Sequence, residues 1–439
     1  MLVLLYAFAT LAAAWLLLEV AVRCYVSAPL ATDFYGSISR ATVRDRQQRR
    51  GVQVSAGRGW VHLGWIADPE RERYRVERRG GGDGWQTVAE RRVGSYLARE
   101  AGDYRVWALP LDGSAARLLG EAAAAPLAGE PPLYAPRVVG PWRELFRPKV
   151  AGDYINDHCL YRDAGGRWRL VGITAKGDGD YSQEKHFAVA VSNEFPPPEG
   201  MSEEAPVADF GELAWAPHVI EEAGTYFMFW SPHRLHRMTS GDGVAWGDHG
   251  VVMAAPFHRF FRDAMVTKVA EGQWLLYATG RGRYFSRVDV YQSFDLEGWQ
   301  YIGAALRSGF GSERNSIVAS TESPQVIEYR GRYYLSLTYN NDSFVWSTLL
   351  LPLKIWLRPS SYNDTLVFHA DNPYDFGEYR GRRKAPSLLT RLRAHAAKLV
   401  HEPERDRWYI TTAGWPWVAT LTSGEVAVAP LEWEKVPGA

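Results

Sequence analysis

Cysteine is nearly absent from this 439-residue chain, and its charges cancel. The two cysteines, Cys24 and Cys159, cannot supply a disulfide framework, so a folded core must hold the chain together. Fifty basic residues face fifty acidic ones, which leaves no global field to attract nucleic acid or another polyanion. No dedicated metal motif is present and no cofactor is expected.

What the chain does have begins with an apolar run, Leu2 to Leu18, followed by Glu19, three more apolar residues and Arg23. That is about the least that crosses a bilayer, and no Lys or Arg precedes it as a signal peptide would require. Residues 1–23 therefore read as a transmembrane anchor or, as the alternative, a long signal segment, with 24–51 as a linker. Arg23, Arg40, Arg44, Arg46, Arg49 and Arg50 follow the run, but only Arg23 lies close enough to weigh on orientation. A single-pass protein with its folded part on the outer face is the expectation.

Short alternating runs fill residues 52–121 and predict a small β-sandwich. Val61, Leu63 and Trp65 share one strand face, Tyr74 and Val76 a second, and Tyr104, Val106 and Ala108 a third. In this pattern the segment resembles a fibronectin type III module. The arginines of residues 71–79 read as a solvated face. Residues 122–133, rich in Ala and Pro, read as a second linker.

Beyond residue 134 one unit recurs. Hairpin-like segments begin at Asn156, Trp215, Arg262, Thr321 and His395, each an apolar-alternating run, a Gly or charged turn, and a run rich in aromatics. Third-strand signals follow at HFAVAVSNEF, HRMTSGDGVAW and RVDVYQSFDLEGW. Repeats of this kind predict a five-bladed β-propeller over 134–436, in an otherwise all-β chain. Three of the repeats open on an acid: Asp157, Asp263 and Glu322. Equivalent strands of a propeller line its axis, so acids far apart in sequence are expected to meet in one cavity.

Asn156-Asp157, Arg262-Asp263 and Glu322-Ser323-Pro324 resemble the three acidic motifs of the propeller glycoside hydrolases of families 43, 32 and 68, and Trp215-Ala216-Pro217 resembles the second-blade motif of family 43. The resemblance departs at His158 and Ala264, where those families carry proline. It implies Glu322 as general acid, Asp157 as general base or nucleophile, and Asp263 as the group that tunes Glu322. The chemistry asks for the same set: one carboxyl protonated, another ionised on the opposite face of the sugar, and a neighbouring acid to separate their pKa values. Asn156, Trp215, His218, Arg262, Arg281, Arg283, Ser323 and His395 are candidate substrate contacts. Trp230 and Tyr284 are candidate stacking walls, and His395 is also a candidate contact for a water or a channel cation such as calcium.

The expected activity is hydrolysis of furanosides or xylosides in a polysaccharide or oligosaccharide. Arg281, Arg283 and Arg314, if inward-facing, favour an anionic sugar or phosphate, which keeps open a phosphorolytic reaction of the family 130 type. Transglycosylation on the same fold stays open too, as does a catalytically silent carbohydrate-binding or polysaccharide-assembly role.

Overall fold

A computed structural model of the chain describes residues 6–14, 17, 40–81, 84–207, 209–232, 234–254, 261–280, 287–308, 320–340, 363–379, 387–416 and 420–438. Residues 6–14 are helical, and among the described residues no helix is long and apolar enough to cross a membrane. Most of the expected anchor, 1–23, lies outside the described residues.

Five consecutive sheets, antiparallel except where Glu378–Tyr379 pairs parallel with Gln300–Ser308, follow one another as blades. Their first strands are Asp153–Arg162, Trp215–Glu222, Phe261–Ala270, Ser320–Tyr329 and Lys398–Glu402, each paired through a tight turn with the next strand in sequence. These are the five hairpins of the repeat. Tyr134–Val138 pairs with Val426–Lys435, so the first strand after the sandwich completes the fifth blade and ties the two ends of the ring together. The first strands of blades 1 to 4 pack in order, those of blades 1 and 5 meet, and Gln325 bonds Leu399 between blades 4 and 5.

Strand periodicity explains where the core lies. Successive side chains point to opposite faces of a blade, and here both faces are covered by other blades. Leu275 thus joins the apolar layer between blades 3 and 4, while Leu276 joins that between blades 2 and 3. Leu399 and Val400 divide in the same way between the blade 4–5 and blade 5–1 layers. Burial on both faces is why the second strands run almost continuously apolar rather than alternating.

The N-terminal segment forms two sheets around Val61, Leu63, Trp65, Tyr74, Val76, Tyr104, Val106 and Ala108. One orders Gln53–Gly57, Trp60–Gly64 and Ser95–Ala98; the other orders Gln86–Arg91, Glu72–Arg79, Gly102–Pro110 and Arg117–Ala124. This unit is fastened to blade 3. Gln292 donates to the carbonyls of Trp65 and Gly94 at 3.0 and 2.6 Å, and Gln300 donates to Trp65 O at 2.6 Å while accepting from Ala67 N–H at 2.9 Å. His62 stacks on Tyr374 with ring centroids 3.9 Å apart.

Residues 24–39 of the first expected linker lie outside the described residues, but the rest of it and the second linker pack on the body of the protein. Arg40–Arg50 is a helix, α1, that buries Val43 and Gln47 against Ile66 and Phe294. Gln47 donates to Ile66 O at 2.6 Å, and Arg46 pairs with Asp295 at 2.9 Å. With one apolar residue on its docking face, α1 lacks the hydrophobic period that would announce it. In the second stretch, Leu127 exchanges backbone bonds with Gly57 and Gly59, Pro131 O accepts from Arg332, and Leu133 enters the blade 4–5 core.

Candidate active site

The first strands share a local irregularity. The pairing register slips between Asn156 and His158, Trp215 and His218, Arg262 and Met265, and Glu322 and Gln325, an extra residue in each case. Ala216, Asp263, Ser323 and Ala396 adopt φ of +50°, +57°, +51° and +47°. Such β-bulges re-aim side chains, and the left-handed backbone costs about 1 kcal/mol or more at each non-glycine residue. Aligned on the bulge, Asp157 and Asp263 share a position with Ala216, Ser323 and Ala396. Glu322 lies one residue earlier, level with Asn156, Trp215, Arg262 and His395. The three acids therefore occupy two successive positions rather than one.

They nevertheless meet in a single network. Ser323 Oγ donates to Asp157 Oδ1, and Ser323 N–H donates to Asp263 Oδ2 at 2.9 Å, so one residue spans two blades. Thr279 Oγ1 adds a bond to Asp263 at 3.2 Å. Arg262 joins Asp263 Oδ2 at 3.1 Å and Glu322 Oε1 at 2.6 Å. All three carboxyls are at most 5% exposed. Gly280 leaves room for Asp289 on the neighbouring strand: a Cβ there would lie 1.9 Å from Asp289 Oδ2.

Above the network opens a cleft of about 260 Å³, lined by Asp157, Asp263, Glu322 and Arg262 at its floor and by Trp215, Trp415, Tyr181, Ile173 and Glu184 around it. Burial pushes the Asp157 carboxyl above the usual range; Ser323, Lys398 and Arg262 pull it back and Glu322 pushes it further. Burial also raises Asp263, to about 6, with Arg262 and Ser323 N–H opposing and the charges of Asp157 and Glu322 assisting. Glu184, which accepts from Tyr154 OH, is raised to about 7, first by burial, with Asp157 adding like charge. Buried acids spread over different pKa values can divide proton-donating and proton-accepting work.

Several expected contacts sit elsewhere. Asn156 is fully buried and donates to Asp157 at 3.2 Å, supporting the acid rather than facing the cleft. His218 donates to Val266 O of the next blade at 2.8 Å, and burial, then Lys398, lowers its pKa to about 4, so it is a neutral tie between blades. His395 is buried, its ring 5.1 Å from that of Trp415. Trp230 is no stacking wall: it is fully buried between blades 1 and 2, stacked on His236. Arg281, Arg283, Tyr284 and Arg314 lie outside the described residues. Among the described residues, no group of three or more His, Cys, Asp or Glu is placed to hold a metal.

Glu184, Tyr181, Trp415 and Lys398 escape notice in the sequence. Glu184 and Tyr181 come from a polar loop with no motif. Lys398 had a usable signal, since it follows His395 by three residues as Gln325 follows Glu322.

No family model matches the chain, and no curated protein sequence does. Solved structures do resemble it. A Bombyx mori GH32 beta-fructofuranosidase shares 14% identity at a TM-score of 0.48, over 67% of this chain and 66% of that one. A thermostable family-43 glycoside hydrolase shares 15% at 0.44, over 67% and 98%. A sucrose-6-phosphate hydrolase from Lactobacillus gasseri shares 14% at 0.46, over 65% and 60%. The chain thus spans under two thirds of the first and third of these. These are likenesses of chain path alone; what the site can do follows from its own residues.

Proposed function

We propose that this chain is a glycoside hydrolase acting on furanosides or xylosides, with Glu322 as general acid, Asp157 as general base or nucleophile and Asp263 as the tuning group. The observation that carries this reading is the meeting of three buried acids from three blades in one hydrogen-bonded network, at the floor of an open cleft walled by tryptophan. Cleavage of a glycosidic bond needs a carboxyl that donates a proton to the leaving oxygen and a carboxylate opposite it. Arg262 joins Glu322 Oε1 and Asp263 Oδ2, and so couples the protonation of the two acids. Asp263, bonded to Ser323 N–H and Arg262, orients both partners. Trp215 and Trp415 offer faces on which a sugar ring stacks.

The test is Glu322→Gln on a panel of glycosides. Loss of proton donation is expected to cost about 10²- to 10⁴-fold on substrates with poor leaving groups and far less on activated aryl glycosides. Equal rates for variant and parent on a poor leaving group would remove Glu322 from the role. Tight glycan binding by the parent with no released sugar would instead favour a silent binding protein.

The three-plus-four strand order of residues 53–124 supports a fibronectin type III-like module, docked on blade 3 through Gln292 and Gln300. A membrane tether at 1–23 with the ring on the outer face accords with the apolar run. Release of the protein from membranes by high salt, without detergent, would count against it.

A further inference from the structure

The residue two places after each bulge position repeats around the ring: Cys159, His218, Met265, Gln325 and Lys398. At this position the side chain reaches toward the following blade. His218 of blade 2 bonds Val266 O of blade 3 at 2.8 Å, and Gln325 of blade 4 bonds Leu399 O and N of blade 5 at 3.1 and 2.7 Å. Lys398 holds the place in blade 5, so the blade it faces is blade 1, whose first strand carries Asp157. Strand parity agrees. Val400, two residues on, packs in the blade 5–1 layer with Ile155 and Leu170. Thr411, directly opposite Lys398, bonds His158 of blade 1 at 2.7 Å.

We propose that Lys398 is the built-in counter-charge of Asp157, a positioning residue that holds the base or nucleophile ionised from behind the cleft. The proposal rests on the glycosidase reading for its catalytic meaning but not for the attraction between the two charges, which acts through space across the blade 5–1 layer. The groups around the pair leave few other sources of positive charge. Asp157 faces Asn156 on its own strand, Ser323 and Glu322 from blade 4, Arg262 and Asp263 from blade 3, and Glu184 from the blade 1 loop. Arg262 already joins Asp263 and Glu322. Around Lys398 stand Cys159, His158 and His218, and His395 acts on His158 in turn. Burial, foremost, lowers His158 to about 3 and raises Cys159 to about 12, so neither carries charge near neutral pH. Burial depresses Lys398 itself, while Asp157, then Cys159 and Asp263, support its charge.

A double-mutant cycle of Lys398→Met and Asp157→Asn, read by urea unfolding at about pH 8, tests the pair without any substrate. Lys398→Met is expected to reduce the folding constant at least about tenfold more in the parent than in the Asp157→Asn background. Additive effects would overturn the proposal. Should Lys398→Met fail to fold, Asp157→Asn is expected to rescue it, and absence of rescue also counts against the pair. On a glycoside that the parent hydrolyses, Lys398→Met should move the acid limb of the kcat/KM profile to higher pH, with Lys398→Arg restoring it. An unmoved limb refutes the catalytic part. A parent with no hydrolase activity would sink the enzymatic reading and leave the cycle to decide the charge coupling.

Discussion

Removing one charge from the buried acid cluster should stabilise the fold, and by an amount that depends on pH. Asp263 has an ordinary carboxyl value of 3.8, raised in the fold to about 6. A raised carboxyl is more costly to ionise when folded. Stability is therefore fully present below about pH 4 and is lost as the pH climbs through 6. A shift of roughly two units at 1.36 kcal/mol each amounts to about 3 kcal/mol at neutral pH. Asparagine keeps the shape and can still accept from Ser323 N–H and Thr279, but it cannot ionise. The attraction of Arg262 is already contained in the shifted value, so it does not enter again. Unfolding of Asp263→Asn and parent in urea, measured from pH 4 to 8, should show the variant gaining about 3 kcal/mol on the parent between pH 4 and 7. A difference that stays constant across that window would refute the reasoning. Such a gain would mark the cluster as a place where the fold gives up stability for chemistry.

Two further outcomes follow from other contacts. Glu184, raised to about 7, sits beside Trp215 and Trp415, so tryptophan fluorescence should show a step with its midpoint near pH 7. Glu184→Gln should abolish that step, and its persistence unchanged would exonerate the residue. Gln292→Ala removes two buried hydrogen bonds, to Trp65 O and Gly94 O, each of which keeps one donor, Gln300 and Trp65 N–H respectively. A loss of about 1–3 kcal/mol in unfolding free energy is expected, whereas unchanged unfolding would mean that the sandwich contributes nothing through this contact.

Much of the architecture was legible because its signals are local. Each hairpin needs only an alternating run, a turn at Ala223-Gly224 or Gly331, and a second aromatic run, all within some twenty neighbouring residues. The acids Asp157, Asp263 and Glu322 were found the same way, by their place in the repeat. Less local features were not. The offset of Glu322 by one residue depends on a bulge, and no residue type announces one when Ala216, Asp263, Ser323 and Ala396 all adopt it. Helix α1 was missed because one valine and one glutamine dock it, and Trp230 was misplaced because a core tryptophan and a sugar platform look alike in sequence.

By itself, then, the order of amino acids determined the repeat, the strands and the acids they carry, since turn chemistry and two-residue alternation act between near neighbours. Only the closed ring decided that Ser323 would bridge Asp157 to Asp263, that Arg262 would hold two acids at once, that Glu184 would reach the cleft and that Lys398 would lie on the side of blade 5 turned to blade 1. Those contacts cross from blade to blade, and their geometry depends on how the sheets pack around a shared axis.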